Sequence, residues 1–328
     1  MAVLVTGGAG YIGSHAVAAL LEKGEEVVIA DSLYQGHEQA VLGGKLYIGD
    51  LRDEQFLAQV FGENDIDGVI HFAANSLVGE SMEDPGKYYH NNVYGTLCLL
   101  EQMKKAGVKR IVFSSTAAAY GEPERVPIDE YDRTVPTNAY GETKLAMEKM
   151  IRWFDTAHGI KSISLRYFNA AGAHESGKIG EDHHPETHLV PLVLEVALGQ
   201  REHITVFGDD YPTEDGTCIR DYVHVSDLAD AHLLALDRLR QGGESAVYNL
   251  GNGLGYSVKQ VIETARHVTG HAIPAVTRDR RAGDPAVLVA SSARARDELG
   301  WSPSRSRLED IISSSWNWHR THPEGFKS

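Results

Sequence analysis

An apolar run that stops at three spaced glycines constrains this chain more than any other feature of its sequence. Ala2 to Val5 reads as a buried parallel strand, and Ile12, Ala16, Val17, Leu20 and Leu21 recur at helical spacing. Between them stand Gly7, Gly10 and Gly13. A tight strand-to-helix turn needs residues free of Cβ clashes, and a pyrophosphate can approach a backbone only where side chains are missing. The helix N-terminus then offers unpaired N–H groups and the positive end of its dipole to that anion. The G-x-x-G-x-x-G spacing reads as a dinucleotide-binding turn; taken alone, it is also compatible with an ordinary glycine-rich turn.

The residues beyond the turn favour the first reading. The helix ends at Lys23-Gly24, a basic C-terminus with a glycine cap, and a second strand, Glu26 to Ala30, runs into Asp31. An acid about 20 residues past such a turn grips a ribose 2′-hydroxyl, and its charge repels a 2′-phosphate. Asp31 therefore predicts NAD rather than NADP.

The chain has 328 residues, 42% of them apolar, which is ample for a core in one large α/β unit or two coupled lobes. Its net charge of −15 argues against nucleic-acid and anionic-membrane surfaces. Any phosphate must be held by local cations. No apolar run approaches the length of a membrane span, and the first strand enters glycines without a basic leader or cleavage site, so the expectation is a cytoplasmic protein. Cys98 and Cys218 lie far apart in a helical pattern and a loop, which fits unpaired thiols in a reducing compartment.

Further strand-like runs alternate with helical patterns. Lys45 to Ile48 leads into Gly49-Asp50-Leu51, Gly68 to His71 into Phe72-Ala73-Ala74, Arg110 to Phe113 into Ser114-Ser115-Thr116, and Ser162 to Arg166 into Tyr167-Phe168-Asn169. This alternation predicts a Rossmann-like, doubly wound parallel sheet, whose ligands bind at the carboxyl ends of the strands. The distinctive residues fall at that edge. Beyond Asn169 the alternation breaks down, so residues 1–169 are expected to form the dinucleotide-binding domain and 170–328 a smaller α/β substrate lobe, with segments near 220–240 returning to the first.

Tyr140 and Lys144 place a phenol and an ammonium on one face of a predicted helix. Lowering a phenol from its usual pKa of about 10 to neutrality takes roughly 4 kcal/mol of preference for the phenolate. A cation at about 4 Å in an effective dielectric of 20 supplies about that much before burial is subtracted. The pair can thus act as the base that removes a hydroxyl proton during hydride transfer. The bland alternative is a pair on a solvated helix face. The strand ending in Ser114-Ser115-Thr116, which can set a hydroxyl beside the phenol, and the glycine turn weigh against it.

Together these elements resemble the extended short-chain dehydrogenase/reductase family. Thr6 to Gly13, Gly49 to Leu51, His71 to Ala74, Asn91 to Thr96, Phe113 to Thr116, Arg166 to Asn169, Gly180 to Asp182, Phe207 to Asp209, Arg220 to His224, Tyr248 to Gly251 and Arg280 to Asp284 are similar, in order, to the UDP-sugar 4-epimerases of that family. The resemblance implies interconversion of UDP-galactose and UDP-glucose through oxidation at C4 by tightly bound NAD, which should copurify. Tyr140 would take the C4 hydroxyl proton, Thr116 relay it, and Lys144 lower the phenol pKa and hold the nicotinamide ribose. Asp50 and Leu51 would meet the adenine and Phe72-Ala73 the cofactor backbone, with Tyr11, Ile12, Ser32, Ala74, Asn91, Ser114 and Tyr167 completing the NAD wall. Asn169 and His188 would reach diphosphate or sugar, Arg220 and Arg281 the diphosphate, and Asp284 the uridine ribose. Phe207 would stack near uracil beside Thr205 and Val206, and Leu189 and Leu288 would finish the sugar pocket.

Two departures qualify the resemblance. Ser76 stands where relatives often have a basic residue, which removes one phosphate contact. Ala117 to Ala119 lacks a threonine often found there, which implies a weaker substrate hydrogen bond and a lower rate. The same alanines speak against a 4,6-dehydratase or decarboxylase, since methyl groups move no protons. Retention of Thr116, Tyr140 and Lys144 speaks against a catalytically silent NAD sensor. Leu288 in place of a bulky tyrosine predicts acceptance of UDP-N-acetylglucosamine as well. No metal is expected, because Pro185 disfavours a helical face carrying His183, His184 and His188. Trp316 and Trp318 are expected to pack rather than function. By the resemblance, helices at 92–106 and 140–156 would form a homodimer interface.

Overall fold

The computed structural model describes residues 1–281 and 284–326, so positions 282 and 283 of the Arg280–Asp284 motif lie outside the described residues. Strands β1 (Ala2–Thr6), β2 (Val27–Asp31), β3 (Lys45–Ile48), β4 (Ile66–His71), β5 (Arg110–Thr116) and β6 (Lys161–Tyr167) open the chain. Among them run helices α1 (Tyr11–Glu22), α2 (Glu54–Glu63), α3 (Val78–Glu83), α4 (Pro85–Tyr88), α5 (Gly95–Ala106) and α6 (Ala139–His158). Then come β7 (Asn169–Ala171), α7 (Leu189–Ala197), β8 (Ile204–Phe207), β9 (Ile219–Arg220), β10 (Tyr222–His224), α8 (Val225–Arg240) and β11 (Ala246–Leu250). The last elements are β12 (Tyr256–Ser257), α9 (Val258–Thr269), β13 (Ala275–Arg278), β14 (Val287–Leu288), α10 (Ala293–Leu299) and α11 (Leu308–Thr321).

Among the described residues seven strands form a parallel sheet in the order β11-β6-β5-β4-β1-β2-β3. Strand pleating sends alternate side chains to opposite faces. Val3 and Val5 enter the core under α1 and α8, while Leu4 enters the core under α2, α5 and α6. Both faces are covered, which is why these strands read as continuous apolar runs. The chain leaves the sheet after β6 and returns with α8 and the edge strand β11, a wider return than residues 220–240 alone. The remaining helices α7, α9 and α11 surround a separate core that includes Val193, Leu194, Ile262 and Ile311.

The C-terminal segment crosses back to the first lobe. Trp318 stacks on His322 at 3.7 Å, Phe326 packs on Trp318 and on His37, and the Phe326 N–H donates to Asp182 at 2.7 Å. Trp318 is buried, as a packing role requires, and Trp316 packs against the second core.

Helix α6 is anchored from below by a buried ion pair. Arg166 on β6 donates to Glu148 from Nε at 2.9 Å and from Nη2 at 2.6 Å, and Ser115 on β5 donates to the same carboxylate. Both charged residues are under a tenth exposed. Removing one partner of such a pair strands the other charge in low dielectric. Glu148→Leu should therefore cost about 3–5 kcal/mol, read as a lower urea midpoint. An unchanged midpoint would mean that the apolar face of α6 alone holds it.

Candidate functional site

At the carboxyl edge of the sheet lies a cleft of about 1040 Å³ between the two lobes. The glycine turn forms part of its floor. Gly10 caps α1 without any side-chain hydrogen bond, and the first turn carries no acid, so the helix N-terminus is left open to an anion. A Cβ on Gly13 would lie 2.1 Å from the Gly7 carbonyl oxygen, and one on Gly7 would lie 2.6 Å from the Ala73 nitrogen. Gly7 also has φ +72, in the left-handed region. Asp31 braces this turn from β2, its carboxylate accepting from the N–H of Ala9 at 2.9 Å and of Leu33 at 2.8 Å. Burial raises its pKa. These features fit NAD: a side-chain-free cradle for the pyrophosphate and an acid at the end of the second strand for a ribose.

Thr116 ends β5, and Tyr140 and Lys144 follow the N-cap of α6, where Asn138 accepts from the Gly141 N–H at 2.8 Å. All three line the cleft. The turn of Ala117–Ala119 supports the start of α6, with Ala118 packed against Gly141, and Ala117 and Ala118 line the cleft. Lys144 is buried, and its ammonium donates to the Ser114 carbonyl at 2.8 Å.

The expected electrostatics of this pair need correction. The Lys144 nitrogen stands 6.0 Å from the centroid of the Tyr140 ring, and burial lowers its pKa to about 7. Burial also raises the Tyr140 phenol, with only the neighbouring Thr116 hydroxyl pulling it down. Helical spacing brings the two side chains to one face, but it does not aim the ammonium at the phenol, because the nearer Ser114 carbonyl takes it. Within the protein, burial therefore opposes ionisation of this phenol.

The remaining expected cofactor residues, Tyr11, Ile12, Ser32, Asp50, Leu51, Phe72, Ala73, Ala74, Asn91, Ser114 and Tyr167, line the same cleft. Asp50 is ion-paired with Arg52, and the Tyr167 and Ser114 hydroxyls hydrogen-bond each other. Of the expected substrate residues, Asn169, His188, Arg220, Arg281, Asp284 and Leu288 join Thr116 and Tyr140 in the wall. Arg220 and Asp284 form an ion pair, and the Arg281 guanidinium lies 4.0 Å from the Phe207 ring centroid.

Leu189, Thr205, Val206 and Phe207 are not brought to the wall. The Val206 side chain is buried in the second core, where Leu189 also packs, so Val206 could offer a ligand only its main chain. Alternation along β8 turns Thr205 and Phe207 the other way.

Sequence reading missed several wall residues. Lys87, paired with Glu80 and 3.1 Å from the Tyr34 hydroxyl, stands on the rim that also carries Ser76. Glu181 and His183 lie beside His188. His188 Nδ1 is 3.1 Å from Glu181 and 2.8 Å from Glu186, and His183 Nδ1 is 3.4 and 3.5 Å from the same two residues. Despite desolvation, these carboxylates raise His183 to about 9 and His188 to about 10. A loop builds this cluster, so the helical argument about Pro185 does not bear on it. His184 stands outside it, against Asp182 at 3.3 Å.

Residues 3–251 match the model of the NAD dependent epimerase/dehydratase family. The whole chain is 60% identical to a UDP-glucose 4-epimerase of Halalkalibacterium halodurans, covering 98% of that protein. It superposes on a crystal structure of a UDP-glucose 4-epimerase with a TM-score of 0.99 at 57% identity, each chain fully covered. A UDP-glucose 4-epimerase from Bifidobacterium longum, crystallised with NAD+ and UDP, gives a TM-score of 0.93 at 44% identity, with 99% of this chain and 100% of that one covered.

Lys144 gives the site a signature that needs no substrate. The folded state sheds this proton near pH 7 and the unfolded chain near 10.5. Unfolding therefore takes up a proton between those values, and the contribution of Lys144 to stability rises with pH across that window. In protein freed of cofactor, the unfolding midpoint of the wild type should gain on that of Lys144→Met from pH 7 to 10.5. Parallel curves would mean that the buried ammonium keeps its ordinary pKa.

Proposed function

The chain belongs to the NAD dependent epimerase/dehydratase family, and from that premise we infer that it interconverts UDP-galactose and UDP-glucose, with NAD as its cofactor. Identity to UDP-glucose 4-epimerases along the full chain carries this reading. Bound NAD supplies the acceptor, and then the donor, of the hydride at C4 of the sugar. The glycine turn, Asp31 and the residues around Asp50 and Phe72 hold the cofactor. Thr116 and Tyr140 receive the C4 hydroxyl, and the Tyr140 oxygen takes its proton. Burial holds the phenol above its ordinary pKa, so an oxidised nicotinamide held beside it would supply the positive charge that favours its ionisation, with Lys144 placed to hold the nicotinamide ribose. Deprotonation is thereby tied to the state of the cofactor in which hydride can leave.

The 4-keto sugar formed at C4 must present its other face before reduction, while its UDP portion stays bound. Arg220 and Arg281 provide bidentate donors for the diphosphate, Asp284 an acceptor for the ribose, and Asn169 and His188 further polar contacts. The methyls of Ala117 and Ala118 leave the sugar face without the acid or base that elimination or decarboxylation requires, which favours epimerisation over both.

We further propose a homodimer in the cytoplasm. Exposed Tyr89, Tyr94 and Trp153 on the segments around α5 and α6 support a covered face there. The buried free thiols of Cys98 and Cys218 suit a reducing compartment. Among the described residues no helix is long and apolar enough to cross a membrane.

Protein purified without added NAD should convert UDP-galactose to UDP-glucose, and Tyr140→Phe should lower the rate by at least about 10² while retaining bound NAD and the fold. Activity that needs NAD at every turnover, or survives in the phenylalanine variant, would refute the mechanism. Leu288 leaves room for an N-acetyl group, so UDP-N-acetylglucosamine should also turn over. Leu288→Tyr should then reduce kcat/KM for that sugar about tenfold or more relative to UDP-glucose; equal losses on both sugars would remove Leu288 from specificity.

A further inference from the structure

The loop beneath the sugar-nucleotide wall gathers four metal-binding side chains that the epimerase chemistry does not use as a group. One donor atom each from Glu181, His183, Glu186 and His188 lies within 4.8 Å of all the others. We propose that these residues form a site for a late first-row divalent metal ion, zinc being the best fit, separate from Thr116, Tyr140 and Lys144.

The spacing of the donors supports tetrahedral coordination. Zinc bonds of 2.0–2.2 Å to nitrogen and oxygen imply donor–donor edges of roughly 3.3–3.6 Å. Glu181 Oε1 lies 3.4 Å from His183 Nδ1 and His183 Nδ1 3.5 Å from Glu186 Oε2, within that range; Glu181 Oε1 to His188 Nδ1, at 3.1 Å, is slightly shorter, and the remaining pairs lie within 4.8 Å, so small side-chain rotations close the shell. The set is also oriented from outside. Glu186 Oε1 accepts the backbone N–H groups of Thr187 at 2.6 Å and His188 at 2.7 Å and lies 2.8 Å from His188 Nδ1; Oε2 is the oxygen left for a metal, which would replace the contact between Oε1 and the His188 ring. Trp318 Nε1 donates to the Glu181 carbonyl at 3.3 Å and steadies the chain where the loop begins. Such outer contacts fix ligand geometry in metal sites.

A second observation points to a ligand here. His183 Nδ1 is buried and makes no hydrogen bond of good geometry, its two carboxylate neighbours standing at 3.4 and 3.5 Å, the separation of ligands around a shared cation rather than of a direct donor and acceptor. The carboxylates themselves are under a tenth exposed, and the site opens to the cleft through the half-exposed His188. Two neutral imidazoles, two carboxylates and one dication carry the same net charge as two imidazoliums with two carboxylates. Loading therefore leaves the net charge of the cluster unchanged. Coordination through Nδ1 also keeps Nε2 of His188 as a donor on the ring's other side, so the metal would lock that ring without removing it from the wall.

Cobalt(II) is the probe, added to purified full-length protein with its NAD in place. A tetrahedral site should give intense visible absorption that saturates at one equivalent and is displaced by zinc. His183→Ala and Glu186→Gln should each weaken cobalt binding by at least about tenfold, whereas His184→Ala, outside the set, should leave it unchanged. Near-UV circular dichroism and bound NAD report whether each variant is folded. X-ray absorption of the zinc-loaded wild type, which needs no variant, should show two imidazoles in the coordination shell. A shell with fewer imidazoles, no tetrahedral spectrum, or a spectrum that survives both ligand substitutions would overturn the proposal. None of these readouts uses substrate, so the epimerase reading stands or falls apart from them.

Discussion

Gly13 and Gly7 approach each other so closely that a single methyl group between them would overlap a carbonyl oxygen. That contact sets where α1 begins and which way its open amides point. The ends of β1 and β4 are drawn together as well, since Gly7 leaves no room for a Cβ against the backbone at Ala73. Asp31 then reaches over from β2 to hold the turn through Ala9. The cofactor floor is thus a packing consequence of missing side chains, and each neighbouring strand end is placed relative to it.

Much of the first lobe was legible because its signals are local. An apolar run, a glycine series and an acid at the next strand end lie within about 30 residues, the length of one βαβ unit. Thr116, Tyr140 and Lys144 were legible for the same reason, as a strand end and a helix start. The direction of the Lys144 ammonium was not, because it depends on the Ser114 carbonyl, on another element. Sequence alone also could not pair Arg220 with Asp284, 64 residues later, or bury Val206 while its neighbours face away. Two-residue periodicity in a strand as short as β8 gives little to read. The cluster around His183 escaped because its spacing matches no helical pattern; a loop assembles it, with one face supplied by Trp318, far along the chain.

Stability and chemistry share the interface between β5 and α6. Ser114 and Ser115 are adjacent and point to opposite faces of the sheet. The hydroxyl of Ser115 meets Glu148, which is also held by Arg166, while the carbonyl of Ser114 receives Lys144. One helix is therefore tied to one strand at two points, a turn apart, and the Tyr140 phenol sits just before the first of them. A shift of α6 along the sheet would break the buried ion pair before it could move Tyr140 far from Thr116.

The ion pair of Arg220 with Asp284 satisfies both groups within the wall itself. A small anion that takes Arg220 leaves the Asp284 carboxylate without its cation, and a hydroxyl that reaches Asp284 competes with the guanidinium already there. Only a ligand carrying an anion and a hydroxyl at the matching separation replaces both partners at once. On the proposed substrate assignment the wall would act as a coincidence detector: free phosphates and free sugars each meet half of the condition, and a nucleotide sugar meets all of it.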